Sequence, residues 1–499
     1  MNQAKNQPNT PVEPEEKIRR RKIAELRKLG INPYPAHSKR THMIREVVDQ
    51  FSDLEQHKTE VTLPGRVRTI RAHGKLTFIT LSDETGQLQM VLKADHVGEE
   101  AYGRLAFLDN GDFAQFTGTL FVTQKGQQSV DIKEWVILTK AIRPLPDKWH
   151  GLQDLEERYR RRYLDSIMNP EVRELFNKRT RFIESMRNYL SEQHFQEVET
   201  PVLEQIPGGA EANPFITHHD ALDINLYLRI SLELHLKRMT VAGFEKIFEI
   251  GRVFRNEGMD RDHLQEFTMM EMYWSFADYR QLMDFVEGMY QRMIQETFGS
   301  LATKVEGHTL NWKGPWPRLS YTELVKKETG IDLLEHQTVE SLKAAIQTAK
   351  IDIELEPNIG LGRVTDLLYK KTVRPKLMQP CFLIDHPVVV SPLAKRKEDQ
   401  PLLTERLQIV ALGSELGNGF SELNDPIDQR ERFEAQMKLR EAGDTEAAML
   451  DEDFLQALEH GLPPTAGFGV GIDRLFMVLA AAPSIRDVVF FPTMRPEQH

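Results

Sequence analysis

The chain has 499 residues, a length that predicts roughly two to four domains rather than one core. Hydrophobic residues make up 40% of it and charged residues 28%, which excludes a disordered chain and is typical of a globular protein. The formal net charge of -11 argues against indiscriminate binding to nucleic acid, although a local basic patch could still hold a specific RNA.

The cysteine count and the hydropathy of the chain indicate its cellular compartment. Cys381 is the only cysteine, which excludes an internal disulfide and a four-cysteine zinc site. No apolar run approaches the roughly 18 residues that a membrane-spanning helix needs, and the polar start MNQAKNQPNT lacks the apolar stretch of a signal peptide. We therefore expect a cytoplasmic protein that does not enter a membrane.

The first 60 residues are predicted to be an extension that contains a basic amphipathic helix. After a polar start, the run EEKIRRRKIAELRKLG places apolar residues at helical spacing among basic ones: Ile23, Leu26 and Leu29. Gly30 and Pro33 supply a stop signal. A solvated surface helix and an RNA-contacting helix both fit this pattern.

A β-rich domain is predicted over residues 61–143. Short alternating runs such as DFAQFTGTLFV and SVDIKEWVIL are separated by turn signals, a pattern typical of a small β-barrel or sandwich. The run RPLPDKWHG, with two prolines and a glycine, then marks a domain boundary. We predict a linker over 144–165 and a catalytic domain over 166–499.

Within the last domain, helical and strand patterns alternate. A long helix is predicted over 171–195, and it runs into the strand-like EVETPVL, which Pro201 ends. Residues 318–376 are mostly helical and are interpreted as an insertion or side module. A further helix is predicted over 426–441, and GFGVGIDRLFMVLA then predicts a glycine-rich strand that passes into a helix.

The runs VFRNEG and HLQEFTMMEMY predict two strands joined by a charged loop. The charged and polar residues of this loop are Arg255, Asn256, Glu257 and His263. Period-two geometry puts four residues of the second strand on one face: Phe267, Met269, Glu271 and Tyr273. Two aromatics alone indicate an ordinary half-buried strand, but an acid among them favours a binding surface.

A second strand, GNGFSEL, repeats this arrangement. Asn418, Phe420 and Glu422 fall on one face, with the acid again among uncharged neighbours. A carboxylate is costly to bury unless a cation or hydrogen-bond donors meet it, and a lysine ammonium offers three donors. Two such acids predict a cationic substrate, with an exposed acid on a sheet edge as the alternative.

The glycine-rich run GFGVGIDRL lacks the G-x-G-x-x-G spacing of a dinucleotide-binding fold. Arg474 stands where the helix begins and could stack on a base or pair with a phosphate. A glycine-rich turn taken alone is usually only a packing feature.

Taken in order, EVETPVL, FRNEG with EFTMME, and GVGIDR resemble motifs 1, 2 and 3 of the class II aminoacyl-tRNA synthetases. The runs KIAELRKLGINPYP, IPGGAEANPFITHH, SLELHLKR, GNGFSELND and EHGLPPTAG are similar to the lysyl member of that family. The resemblance begins at about residue 17. It implies an α+β chain, with an N-terminal OB-fold β-barrel that binds the anticodon and a catalytic antiparallel sheet flanked by helices.

The resemblance also implies the reaction: L-lysine is activated with ATP and Mg²⁺ and is then transferred to tRNA(Lys) by a homodimer. Arg255 would contact the substrate carboxylate and the α-phosphate, Phe267 and Arg474 would sandwich the adenine, and His263 would lie near the phosphates. No protein nucleophile is needed, because positioning and electrostatics carry such a reaction. The further ATP contacts that it implies are Asn256, Glu257, Leu264, Glu415 and Gly471.

Two more groups of contacts follow from the resemblance. For lysine it implies Gly209 and Glu233 at the α-amino group, Asn418 at the carboxylate, and three residues around the side-chain ammonium: Glu271, Tyr273 and Glu422. For the anticodon it implies Arg71, Phe78, Gln89 and Glu134. Stacking of a base on Phe78 suits single-stranded RNA, with a place in the barrel core as the alternative. Glu134 shares the parity of apolar neighbours, so it either faces a ligand or is displaced by a bulge.

The chain departs from the family pattern at two points. The family's metal site has two carboxylates, of which Glu415 matches one while Gln408 stands at the other. A neutral amide gives Mg²⁺ less charge, so a weaker or differently arranged metal site is expected. In motif 2, Asp262 occupies the usual arginine position, with Arg261 one residue away as a candidate replacement.

Three other functions stay open at this stage. An aspartyl- or asparaginyl-tRNA synthetase shares the barrel and the motifs, but its aspartate pocket should be basic. A lysyltransferase that acts on a protein would lack the barrel. A non-catalytic RNA-binding protein with the synthetase fold is disfavoured by the retained Arg255, Phe267, Glu415 and Arg474, although Gln408 keeps it open.

Overall fold

The computed structural model divides the chain into two compact units, Met1–Gly151 and Leu152–His499. The residues that it describes are 13–146, 152–355, 359–441 and 449–497. The first 12 residues of the predicted polar start and residues 147–151 of the predicted boundary lie outside them. None of the described helices is both long and apolar enough to cross a membrane.

The first unit begins with the predicted amphipathic helix, which is confirmed. Ile23 and Leu26 are buried, while Leu29 lies past the last turn and is 60% exposed. Gly30 has a φ of +74°, the left-handed conformation that ends many helices. The helices and strands of this unit are α1 Glu15–Lys28, α2 Ile44–Asp49, α3 Phe51–Gln56, β1 Glu60–His73, β2 Leu76–Ser82, β3 Gln87–Lys93, α4 Ala94–Val97, α5 Glu99–Gly103, β4 Phe113–Val122 and β5 Gln128–Thr139.

These five strands form a closed barrel in the order β1-β2-β3-β5-β4, which confirms the predicted barrel and excludes a sandwich. Neighbouring strands are antiparallel except for the parallel pair β3 and β5. Inward-pointing side chains such as Ile79, Met90 and Phe116 fill the interior completely. The barrel core is therefore packed, and a ligand has access only to its outer surface.

A β-bulge in β5 decides the orientation of Glu134. Thr117 of β4 pairs with Glu134 and the next residue, Gly118, pairs with Ile132, so Lys133 is the extra residue. Trp135 is therefore buried, whereas Glu134 is exposed. Of the two explanations for its parity, displacement by a bulge is confirmed.

The second unit is built on an eight-stranded sheet in the order β14-β15-β16-β17-β18-β11-β10-β6. The outermost pair at each end is parallel and the inner pairs are antiparallel. Its helices and strands are α6 Leu155–Arg160, α7 Arg162–Met168, α8 Pro170–Glu192, β6 Gln196–Glu197, β7 Leu203–Glu204, β8 Ile216–His219, β9 Ile224–Leu228, α9 Glu233–Val241, β10 Lys246–Phe254, β11 Glu266–Ser275, α10 Tyr279–Phe298, β12 Ala302–Val305, β13 His308–Asn311, β14 Arg318–Ser320, α11 Tyr321–Thr329, α12 Val339–Thr348, α13 Leu361–Thr372, β15 Cys381–Ile384, β16 Arg406–Ala411, β17 Ser414–Ser421, α14 Pro426–Glu441, α15 Glu452–Glu459, β18 Thr465–Gly471 and α16 Ile472–Leu479.

One face of this sheet packs against α8 and α10. Met270, Met272 and Phe468 of the central strands lie in the same buried cluster as Met186 of α8 and Met289 of α10. Because side chains alternate along a strand, the residues between them must point to the opposite face. That opposite face carries the candidate site.

Two predicted elements differ from the structure. The EVETPVL strand is confined to Gln196–Glu197 on the main sheet, because Thr200 then turns to bind Glu249 of β10 through its N–H (3.0 Å) and its hydroxyl (2.6 Å). The segment interpreted as a helical side module begins with β14, a strand of the main sheet. Its helices α11, α12 and α13 share a core with Leu383 of β15, so this segment is packed directly on the main sheet.

Candidate active site

A cavity of about 430 Å³ opens on the face of the sheet that α8 and α10 leave free. The predicted site residues that line it are Gly209, Glu233, Arg255, Glu257, His263, Leu264, Phe267, Glu271, Tyr273, Glu415, Asn418, Glu422, Gly471 and Arg474. Asn256 and Gln408 are not among its lining residues. Strand alternation therefore brings residues from motifs 2 and 3 and from β17 to one site, as the sequence predicted.

Glu271 lies at the floor of this cavity and is only 3% exposed. One carboxylate oxygen accepts hydrogen bonds from the Ser231 hydroxyl (2.7 Å) and from the Leu232 N–H (3.0 Å), and the other accepts one from the Tyr273 hydroxyl (3.2 Å). Burial and the nearby charge of Glu233 raise the pKa of Glu271 to about 7. The group therefore changes its charge near neutral pH.

Two further acids of the cavity, Glu233 and Glu422, surround a buried lysine that the sequence interpretation missed. The ammonium of Lys237, which is 1% exposed, forms ion pairs with Glu422 and with Glu233, the latter at 2.5 Å. The second oxygen of the Glu422 carboxylate is buried and has no hydrogen-bond donor among the described residues. The missed signal was local, because Glu233 and Lys237 stand four residues apart in SLELHLKR on one helical face.

Two glycines make room for these carboxylates. A Cβ atom at Gly467 of β18 would lie 2.0 Å from a carboxylate oxygen of Glu422 and 2.7 Å from the Tyr273 ring. Gly209 has a φ of +81°, and a Cβ there would meet Glu233 at 2.9 Å. Any larger residue at either position would displace an acid from the floor.

The other end of the cavity carries the cations of motifs 2 and 3. The Arg255 guanidinium lies 5.3 Å from the centre of the Phe267 ring, and its Nε donates to the Ile230 carbonyl at 3.3 Å. Arg474 reaches the Asp262 carbonyl at 3.4 Å. Because Arg255 and Arg474 both face the cavity, it can hold an anion beside the acidic floor.

His263 is about half exposed in the motif 2 loop. Its Nδ1 lies 2.7 Å from a carboxylate oxygen of Asp260, which orients the ring. Hydrogen bonds and the charge of His263 hold the pKa of Asp260 below its usual value, although partial burial opposes this. The other ring nitrogen is then available towards the cavity.

The two predicted metal ligands do not form a two-carboxylate site. The Gln408 amide donates to Glu415 through Nε2 (2.8 Å), and its oxygen accepts from His386 Nε2 (3.2 Å). Burial lowers the pKa of His386, so this ring is neutral. Gln408 thus presents an N–H group rather than an oxygen to Glu415, and no cluster of three or more metal-binding side chains was found in the described residues.

Arg261 is not positioned to replace the motif 2 arginine. It forms an ion pair with Glu306 and donates from Nε to the Pro483 carbonyl at 3.0 Å, away from the cavity. Two other cations do line the cavity, Lys370 and Arg374. The sequence interpretation missed them because they lie at the end of α13 and just after it, in the segment that was taken for a side module.

On the barrel, three of the four predicted anticodon residues share the outer face of β1, β2 and β3. Arg71 pairs with Phe78 across the first two strands, and Gln89 donates to the Ser129 hydroxyl at 3.0 Å. Phe78 is half-buried and lies outside the buried core cluster, which excludes the barrel-core alternative. Glu134 lies five residues beyond Ser129, roughly 16 Å along β5, and pairs with β4 instead.

Comparison with known proteins agrees with this geometry. Residues 154–495 match the family described as tRNA synthetases class II (D, K and N), and residues 61–138 match the OB-fold nucleic acid binding domain. A lysine–tRNA ligase of Moorella thermoacetica is 49% identical over 481 residues, which cover 96% of this chain and 98% of that protein. The lysine–tRNA ligase of Bacillus subtilis is 47% identical, with 96% of each chain covered.

Proposed function

The chain belongs to the lysine-specific class II tRNA synthetases, and from this premise we propose how its cavity carries out the reaction. The enzyme activates L-lysine with ATP to lysyl-adenylate and pyrophosphate, and it transfers the lysine to tRNA(Lys). The acidic floor is the part of the cavity that binds lysine, and the end with Arg255, Phe267 and Arg474 is the part that binds ATP.

The observation that carries this assignment is the charge of the floor. Glu233, Glu271 and Glu422 contribute three carboxylates, and Lys237 compensates one of them. The two charges that are left match the two ammonium groups of free lysine. Glu271, Tyr273 and Glu422 surround the side-chain ammonium, whereas Glu233 and Gly209 bind the α-amino group.

The same charge argues against the rival amino acids. Aspartate would bring a second carboxylate into a cavity with three buried acids, and such like-charge contacts oppose binding. Asparagine has no side-chain cation, so one of the two negative charges that Lys237 does not compensate would be left without a partner. The acidic floor therefore disfavours both, although the matched family model spans all three amino acids.

Arg255 is proposed to bind the lysine carboxylate and the α-phosphate together, which brings the attacking oxygen and the phosphorus into line. Its position between the acidic floor and Phe267 supports this role. Adenine would stack between Phe267 and Arg474, and His263 would contact the phosphates. Asn418, whose amide oxygen accepts from Arg406 at 2.9 Å, would fix the carboxylate end. The site needs no protein nucleophile.

Mg²⁺ is proposed as the companion of ATP, with Glu415 as its carboxylate ligand. Gln408 does not fit a metal in its present hydrogen bonds, because its oxygen is occupied by His386. Rotating the amide would turn its oxygen towards Glu415 and would require the other tautomer of His386, in which Nε2 accepts the hydrogen bond. The protein therefore offers Mg²⁺ one carboxylate instead of two, and it should bind the metal more weakly. No step of the reaction is assigned to Gln408.

The barrel is proposed to bind the anticodon on the outer face that carries Arg71, Phe78 and Gln89. A half-buried aromatic ring beside an exposed arginine suits an unstacked base and its phosphate. The position of Glu134 near β4 separates it from this group, so any contact that it makes would be to another nucleotide. We also propose the cytoplasm as the site of action, since aminoacyl-tRNA is consumed by translation.

Glu422→Gln is predicted to raise the KM for lysine by at least about tenfold, because an amide cannot neutralise an ammonium. The KM for ATP should change less than twofold, since Glu422 faces the floor and not the ATP end. Lysine-dependent exchange of pyrophosphate into ATP measures both constants. Glu431→Gln, at an exposed position on α14, is the matched control. An unchanged lysine KM would remove Glu422 from the pocket.

Lysine binding is predicted to weaken as the pH falls below about 7. Glu271 has a pKa of about 7 in the free site, and only its ionised form pairs with an ammonium, so affinity is constant above this value and falls up to roughly tenfold per unit below it. Titration calorimetry with lysine between pH 6 and pH 8.5 tests this, and Glu271→Gln should flatten the profile. Should that variant keep the full pH dependence, another acid of the floor would be responsible.

Phe78→Ala is predicted to reduce the rate of tRNA charging by about tenfold or more while leaving pyrophosphate exchange unchanged, because one stacking contact contributes roughly 1–3 kcal/mol. Phe121→Ala, which removes a half-buried ring from β4, is the matched control and should charge tRNA normally. Phe116→Ala removes a core ring and reports on loss of the barrel fold. Normal charging by Phe78→Ala would contradict the stacking role.

A homodimer is predicted, with a mass in solution of twice 57.7 kDa. Large apolar side chains remain exposed around motif 1 and in the C-terminal segment: Val202, Leu203, Phe490 and Phe491. A second copy that covered them would remove this apolar area from water. Light scattering measures the mass, and Phe491→Ser should shift it towards the monomer. A monomeric wild type at micromolar concentration would overturn the prediction.

A further inference from the structure

The end of the cavity that is proposed to bind ATP lacks a positive charge that the family pattern has. Asp262 lines the cavity at the position where the family pattern has an arginine, and Arg261 is turned towards Glu306. Gln408 stands at one of the two carboxylate positions. A triphosphate carries several negative charges, so the cations that balance them must come from another element.

The last turn of α13 and the segment after it supply two cations to the cavity that Glu415 also lines. Lys370 and Arg374 both line the cavity. Lys370 is paired with Asp366 of its own helix at 2.6 Å, whereas no described carboxylate lies within 4 Å of the Arg374 guanidinium. The Arg374 Nε is buried and has no hydrogen-bond partner among the described residues.

Tyr369, which precedes Lys370 in α13 and does not itself line the cavity, carries a second unpartnered group. The residue is 3% exposed, and its hydroxyl has no hydrogen-bond partner in the described chain. Burial raises the pKa of Tyr369, the charge of Glu415 raises it further, and Arg374 opposes the rise, which puts the hydroxyl close to both charges. A buried donor without an acceptor is costly, so the Arg374 Nε, on a residue that lines the cavity, indicates a missing anionic ligand.

We propose that Arg374, with Lys370 and Tyr369 beside it, binds the β- and γ-phosphates of ATP and so takes over the task of the motif 2 arginine. The inference rests on the proposed function, because it requires that ATP occupies this cavity. Arg374 forms hydrogen bonds to the phosphate oxygens that leave as pyrophosphate, while Arg255 remains on the α-phosphate. The segment around α13 is then part of the catalytic site.

Arg374→Ala tests this in the lysine-dependent exchange of pyrophosphate into ATP, without tRNA. The KM for ATP should rise roughly 10- to 100-fold, the loss expected for hydrogen bonds to a charged group, while the KM for lysine stays within twofold. Arg374→Lys should recover part of the loss. Lys371→Ala is the matched control, because Lys371 is exposed, carries the same charge and faces a neighbouring groove.

Binding measured without turnover tests the phosphate contacts independently of enzyme activity. In calorimetry, Arg374→Ala should bind inorganic pyrophosphate at least tenfold more weakly and AMP unchanged, since AMP lacks the two outer phosphates. Asp262→Arg in the Arg374→Ala background should restore the KM for ATP, because it returns a cation to the motif 2 position. A melting temperature equal to that of the wild type keeps these comparisons valid.

Two results would overturn the inference. One is an unchanged KM for ATP and unchanged affinity for pyrophosphate in Arg374→Ala. The other is an equal loss of pyrophosphate, AMP and lysine binding with a lowered melting temperature, which would give Arg374 a structural role. A wild-type protein without lysine-dependent exchange would instead refute the proposed function, and the pyrophosphate titration would still test Arg374.

Discussion

The site depends on the cost of burying three carboxylates on the floor of one cavity. Glu233, Glu271 and Glu422 are each less than 10% exposed, and acids so close together cannot all be ionised without compensation. Lys237 compensates part of this charge, and hydrogen bonds from Ser231, Leu232 and Tyr273 support Glu271. The charge that is left makes the empty site unfavourable in its ionised form, and the proposed binding of the two ammonium groups of lysine would relieve this cost.

Strand alternation explains how this cavity coexists with a large apolar core. Met270 and Met272 point to α8 and α10, while Glu271 and Tyr273, one step away on β11, point to the cavity. The glycines of β18 then allow acids of neighbouring strands to lie side by side, since a Cβ at Gly467 would collide with Glu422. The same sheet thus provides rigidity on one face and chemistry on the other.

The two ends of the cavity have diverged differently from the family pattern. The acidic end keeps every predicted acid. Neither Glu422 oxygen has a hydrogen-bond donor among the described residues, although one of them forms an ion pair with Lys237. At the phosphate end, Gln408 and Asp262 change both the metal site and the motif 2 loop, and the wall that contains Arg374 adds positive charge. Glutamine at 408 removes one negative charge, whereas aspartate at 262 replaces a positive charge by a negative one, so these two changes together leave this end more negative than the family pattern.

The sequence by itself determined the β-rich domain, the long helices and the shared faces of Glu271 with Tyr273 and of Asn418 with Glu422, because these follow from local periodicity. Periodicity left a barrel and a sandwich open, and strand pairing decided for the barrel. The family motifs determined the reaction. Tertiary structure alone decided that Lys237 also meets Glu422, that Arg261 turns away, and that Arg374 reaches the cavity. These facts depend on contacts between segments far apart in the chain, and on a bulge in the case of Glu134, which no local pattern encodes.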